Sequence, residues 1–241
     1  MSAGAGEAEA GGADATRVET FAFTSELRCR LVPPAAPPAS GKPPLLVVCH
    51  GWAQDGGRQQ RWMGAAVPPG FAAAFPDGFH RFEVRRPERP PRIGHAWYLF
   101  SADRPAFLAS LEESEAALWR LVDQAVGSLD ADPQQVWLAG FSQGAYLVNT
   151  AAMRSPQRVA GWIAQCGNMR ADYLRGVEPD LSGRRVLLQY GAEDDRLPAG
   201  AAEACRDLIA GFGADVTFAM HEGGHAITPA MAAEAQRFLA G

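Results

Sequence analysis

Short apolar runs recur along this chain, separated by longer stretches that keep helical spacing. Leu45-Leu46-Val47-Val48-Cys49, Phe71-Ala72-Ala73-Ala74-Phe75, Val136-Trp137-Leu138-Ala139 and Val186-Leu187-Leu188-Gln189-Tyr190 are continuous rather than alternating. Such runs predict strands covered on both faces of a mostly parallel sheet, and 159–166 and 216–220 are predicted as further strands. Between them, Leu111, Leu118, Leu121, Val122, Ala125 and Leu129 repeat at helical spacing. Ser110 with Glu113 reads as a capping box at the start of that long helix. Further helices are predicted over 54–66, 143–153, 199–212 and 230–239, the last starting at Thr228-Pro229.

Two other stretches depart from this rhythm. Residues 18–23 and 27–32 alternate in character around a turn at 24–26, which predicts an opening β-hairpin. The Pro/Ala-rich stretch 33–44 is a connection. Residues 79–96 carry Pro87, Pro90, Pro91 and many arginines without periodicity, so an irregular surface excursion over a pocket is expected. Trp97 and Tyr98 close it, and with Met169 and Leu174 further on they are candidate pocket walls. Strand–helix alternation over nearly the whole length predicts one α/β domain, residues 17–241, with helices on both faces of its sheet. An Ala/Gly-rich tail, 1–16, is expected to be disordered.

Composition narrows the function classes. With 22 basic and 27 acidic residues the net charge is −5, so no basic footprint points to nucleic acid. No run approaches the roughly 20 apolar residues that span a bilayer, and stable membrane insertion is not expected. The N-terminus lacks the basic start and apolar middle of a signal peptide, which predicts a cytoplasmic protein. Cys29, Cys49, Cys166 and Cys205 lie far apart with no C-x-x-C spacing, as buried free thiols would. There is no H-E-x-x-H, no clustered Cys/His and no Gly-rich phosphate loop, so neither metal nor organic cofactor is expected.

The chemistry gathers around Gly140-Phe141-Ser142-Gln143-Gly144. This G-x-S-x-G pattern between an apolar run and a helix-capable run predicts a nucleophile elbow, with Ser142 on a strained strand-to-helix turn. A side chain at Gly140 or Gly144 would crowd neighbouring backbone, and the following helix aims free N–H groups at a nascent oxyanion. A serine hydroxyl is a weak nucleophile and needs a base, which in turn needs an orienting carboxylate. Only His221 and His225 lie downstream of Ser142. His225 follows Gly223-Gly224 in a loop able to reach over the sheet edge, whereas His221 sits at a strand end and suits burial or a supporting role. Glu193, Asp194 and Asp195 all follow the Gly191 turn, at the strand end where open α/β sheets place ligand sites, and spacing leaves the three open. His50-Gly51-Trp52 follows the first buried strand, so the N–H groups of Trp52 and Gln143 are the expected oxyanion donors, with His50 shaping the loop.

On these pieces the chain resembles the phospholipase/carboxylesterase family of α/β-hydrolases, which includes acyl-protein thioesterases. The matching residues are His50-Gly51, Trp97-Tyr98, Asp132-Pro133, the Gly140 to Gly144 elbow, Gly191-x-x-Asp194-x-x-Leu197-Pro198 and Gly224-His225. The resemblance implies an α/β-hydrolase fold and a Ser142–His225–Asp194 triad acting on a small-molecule ester or thioester, in a monomer or a homodimer. Asp195, Tyr190 and Ala145 depart from the family's frequent proline, histidine and glycine. Phe75-Pro76-Asp77-Gly78 is also similar to feruloyl esterases and polyhydroxybutyrate depolymerases, which adds aromatic and polymer-derived esters. A peptidase or acyltransferase on the same triad and a non-catalytic hydrolase-like binding protein are the rival readings.

Overall fold

The computed structural model describes residues 26–38 and 41–241. The expected tail, 1–16, and the first hairpin strand, 18–23, lie outside them. In chain order the elements are β1 (Cys29–Val32), β2 (Leu45–Cys49), α1 (Gly56–Met63), β3 (Ala72–Pro76), β4 (His80–Arg86), β5 (Arg89–Ala96) and α2 (Arg104–Leu129). They continue with β6 (Val136–Phe141), α3 (Gln143–Arg154), β7 (Gly161–Gln165), β8 (Arg185–Gly191), α4 (Ala201–Gly211), β9 (Asp215–His221) and α5 (Pro229–Ala240).

Seven strands form one sheet in the order β1-β3-β2-β6-β7-β8-β9, parallel throughout except for the edge strand β1. The apolar runs alternate between two cores, as a strand's two-residue period requires. Leu45, Val47, Leu138 and Leu188 face Leu118 of α2, Leu147 of α3 and Ile209 of α4. Leu46, Val48, Ala139 and Leu187 face Met63 of α1 and Leu239 of α5. Helices therefore cover both faces, and the α/β reading of the sequence holds.

Register is what matters for a site. Cys49 pairs with Gly140, Phe141 with Gln165, Gln165 with Gln189, and Gly191 with His221. The C-terminal ends of β2, β6, β8 and β9 thus lie along one rim. The segments leaving that rim carry His50-Gly51-Trp52, Ser142, Asp194 and His225.

Two expectations are corrected. Residues 79–96 are not irregular: β4 and β5 form an antiparallel hairpin outside the main sheet, with a register shift between Val84 and Arg86. Pro90 and Pro91 fit because they fall at that irregularity, between the Val84–Arg92 and Arg86–Arg89 pairs, where the ladder needs no N–H from them. The alternation Arg81-Phe82-Glu83-Val84-Arg85 was the signal for it. Ser110 does not start α2. Asp103 caps it by accepting from the Ala106 N–H (3.1 Å), and Ser110 lies inside, its hydroxyl accepting from the Leu99 N–H at 2.7 Å.

Candidate active site

Ser142 stands between β6 and α3 with φ 52° and ψ −118°, a backbone state that costs a non-glycine residue on the order of 1–3 kcal/mol. Packing on both sides holds it there. A Cβ on Gly140 would lie 2.3 Å from the Gly144 carbonyl oxygen, and one on Gly144 would lie 2.4 Å from that of Cys49. The Ser142 N–H donates to the Gln165 carbonyl (2.9 Å), while the Ser142 carbonyl accepts from Ala145 and Tyr146 in the first turn of α3. The hydroxyl makes no helix cap and is left free for chemistry.

The free hydroxyl meets His225. Nε2 of His225 lies 2.8 Å from Ser142 Oγ, and Nδ1 lies 2.8 and 3.0 Å from the two carboxylate oxygens of Asp194. With a carboxylate at Nδ1, the ring carries its proton there and presents the Nε2 lone pair to the serine. The Asp194 side chain is 3% exposed and also accepts from the Arg196 N–H at 2.9 Å. Of the two alternatives, Glu193 is exposed, and Asp195 points to solvent beside Arg196 at 3.5 Å. Tertiary packing, not spacing, thus selects Asp194. The two loops are braced together: Ala192 N–H donates to His221 O (2.8 Å) and Glu193 N–H to Gly223 O (2.9 Å). A Cβ on Gly191 would strike the carbonyls of Gly223 and Gly224 at 2.4 and 2.3 Å, so glycine permits this close crossing. His221 is held elsewhere, by Glu234 of α5 at 2.9 Å.

Behind the serine, the polar groups are paired off. His50 is fully buried; its Nδ1–H donates to Gly51 O (2.7 Å) and its Nε2 accepts from the Gly78 N–H (2.8 Å). Burial pushes its pKa down to about 4, so it stays a neutral brace. Trp97 donates from Nε1 to His50 O at 2.7 Å. The Gln143 side chain bridges to the same segment, accepting from Trp97 N–H (3.1 Å) and donating to Tyr98 O (3.0 Å). By contrast, the backbone N–H groups of Trp52 and Gln143 donate to no other group among the described residues.

A cavity of about 1050 Å³ opens over Ser142 and His225. Tyr98 reaches it, but Trp97, Met169 and Leu174 do not: all three are buried in the core beneath. Trp97 is a brace rather than a wall because its indole N–H is used inward. The wall comes instead from Trp52, Phe82, Leu99, Phe100, Tyr146 and Leu197. Phe82 of the hairpin stacks on Trp52 with ring centres 5.3 Å apart. Reading 79–96 as irregular concealed that wall.

All four cysteines are free, three of them buried and Cys29 partly so. Cys166, with Asp194 and His225, forms the one Cys/His/acid group of metal-ligand spacing among the described residues. Burial pushes the Cys166 thiol up to about 12, while Asp194 and His225 already satisfy each other, so the trio does not suit a metal.

The pattern of the phospholipase/carboxylesterase family matches residues 36–241, and the chain belongs to that family of hydrolases. A stretch of 136 residues is 27% identical to acyl-protein thioesterase 1 of Eremothecium gossypii, covering 55% of this chain and 57% of that one. The chain thus spans little more than half the length of that curated relative. A carboxylesterase from Bacillus cereus superposes with a TM-score of 0.72 at 16% identity, over 89% of this chain and 93% of its own. One from Mesorhizobium loti gives 0.68 at 22% identity, over 82% and 88%. At such identities the likeness establishes the fold.

Proposed function

We propose that this member of the phospholipase/carboxylesterase family hydrolyses carboxylic esters or thioesters through Ser142, His225 and Asp194. The observation that carries the reading is the unbroken line from Ser142 Oγ to His225 Nε2 (2.8 Å) and from Nδ1 to the buried Asp194 carboxylate (2.8 Å). In acylation, Ser142 Oγ bonds to the carbonyl carbon as its proton passes to His225 Nε2. The oxyanion so formed is held by the N–H groups of Trp52 and Gln143, each worth about 3 kcal/mol of barrier. Collapse breaks the bond to the alcohol or thiol, which takes the proton from the imidazolium. Water then gives a proton to the same nitrogen, attacks the acyl carbon, and releases the acid and free serine.

Asp194 keeps the ring in the tautomer this sequence of steps needs. The neutral thiol of Cys166 offers no competing nucleophile at neutral pH. The apolar lining of the cavity favours a substrate with an apolar acyl part. The unpaired thiols fit a reducing compartment such as the cytoplasm.

The test is stopped-flow hydrolysis of p-nitrophenyl esters of graded acyl length. Wild type should release a burst of p-nitrophenol followed by turnover, and Ser142→Ala should show neither while keeping its melting temperature. Equal inertness of both proteins across the series would refute the reading and favour a non-catalytic binding role.

A further inference from the structure

The hairpin β4–β5 lies outside the main sheet, yet its return strand is fastened to the loop that carries Trp52. The Ala53 N–H donates to His95 O (2.9 Å) and the His95 N–H to Gln54 O (2.9 Å), so one hairpin residue grips both residues after Trp52. Ala53 sits at φ 60°, a left-handed state that a non-glycine residue keeps only where its surroundings hold it. Gly94 permits the approach: a Cβ there would lie 2.8 Å from Ala53 O and 2.6 Å from a methyl of Val84. The same loop closes on itself around Trp52. Gly51 N–H donates to Gln54 Oε1 (3.1 Å), and Gln54 N–H donates to Gly51 O (3.2 Å).

The His95 ring adds a second tie to that loop. Its Nδ1–H donates to Gly78 O at 3.1 Å, and its Nε2 faces Asp77 at 3.8 Å. The Gly78 N–H donates in turn to Nε2 of His50, two residues before Trp52 (2.8 Å). Gly78 is thus held on one side by a ring from the hairpin and on the other by a ring from the loop. The strand then runs on into Trp97 and Tyr98, whose backbone groups hold the Gln143 side chain. Residues 94–98 therefore reach the segments that carry both N–H groups expected to face an oxyanion. The proton line through Ser142, His225 and Asp194 makes no use of His95.

We infer that His95 is a positioning residue that aims the Trp52 N–H at the oxyanion, with Gly94 letting the hairpin close on the loop. This rests on the esterase reading above. A backbone N–H has no rotamer of its own, so its direction is set by the peptides on either side. Here the turn from Gly51 to Gln54 sets it, and His95 clamps the far end of that turn. A misplacement of about 1 Å in a positioned group lowers a rate by about a hundredfold, which makes the hairpin part of the machinery and not only a wall.

The experiment uses the full chain, a p-nitrophenyl ester and two ketones of one acyl length. A trifluoromethyl ketone takes Ser142 Oγ at its carbonyl carbon, with the serine proton passing to His225, and so carries an oxyanion. The matching methyl ketone binds without that addition. His95→Leu should lower kcat and trifluoromethyl-ketone affinity about tenfold, leaving KM and methyl-ketone affinity within about twofold. His95→Asn keeps an amide donor for Gly78 O and should restore both to within about threefold. Gly94→Ala should lower kcat about tenfold to a hundredfold, whereas Ile93→Ala, at an exposed neighbour, should leave it unchanged. Normal kcat in both His95→Leu and Gly94→Ala, an equal loss of methyl-ketone affinity, or His95→Asn as impaired as His95→Leu would overturn the assignment. Should wild type turn over no ester, the esterase reading fails separately. The amide resonance of Trp52 then decides the positioning: a shift in Gly94→Ala and none in Ile93→Ala supports it, and equal behaviour of the two variants overturns it.

Discussion

The back and the front of the cleft over Ser142 are built on opposite terms. At the back, His50, Trp97 and Gln143 are 0%, 0% and 5% exposed, and their ring and amide side chains are joined to backbone on three other segments. At the front, Trp52, Leu99 and Phe100 stand 58%, 52% and 75% exposed. The back fixes geometry, because a buried polar group left unpaired costs about 1–3 kcal/mol and every alternative arrangement loses one. The front carries exposed side chains whose replacement unpairs no buried group. Position is enforced where groups are satisfied, and side chains are exchangeable where they are exposed.

The largest effect expected from the fixed side is chemical. Asp194→Asn should lower kcat about ten-thousand-fold in p-nitrophenyl ester assays, with little change in melting temperature, because the ring tautomer is lost while the packing stays. A loss under tenfold would mean that the carboxylate does not orient His225.

Next comes the backbone of the elbow. Gly144→Ala should destabilise by about 3 kcal/mol in urea titrations, since its Cβ would lie 2.4 Å from Cys49 O and 2.7 Å from His50 O. Gly127→Ala in α2, where a Cβ meets nothing within 4 Å, should instead stabilise by about 0.5–1 kcal/mol.

A pH series probes the buried brace. His50 binds its proton near 6.5 when unfolded and only at about 4 in the fold. Its contribution is therefore present in full above pH 6.5 and is lost as pH falls towards 4, by up to about 3 kcal/mol. His50→Asn should flatten the acid slope of the stability curve by close to one proton over that window. An unchanged slope would place the titration elsewhere.

The exposed side should give the smallest response. Trp52→Ala keeps its backbone N–H, so kcat should stay within twofold while KM for bulky apolar esters rises about threefold, with stability changed by under about 0.5 kcal/mol. A large fall in kcat would show that the indole helps set the oxyanion site and that the two sides are not separate.

Much of this was legible in the chain. The inner strands β2, β3 and β6 were written as apolar runs because a strand buried on both faces has few polar positions to spare. The tight turn at Ser142 was legible because an elbow demands glycine at two fixed offsets, and the approach of His225 to it because only two histidines follow that turn. The hairpin was missed: its prolines outweighed a five-residue alternation that local propensity alone could not rank. Trp97, Met169 and Leu174 were misplaced as pocket walls because an apolar residue near a site looks the same whether it faces the cavity or the core.

By itself, the sequence determined the layered architecture, the rim at which polar groups gather and the strand-to-helix turn at Ser142, since periodicity and tight-turn sterics are local properties. Tertiary structure alone decided which of three adjacent acids meets the imidazole and which aromatic rings face the cavity. Those outcomes depend on strand register and on the crossing of loops, which bring together groups that no short window of sequence contains.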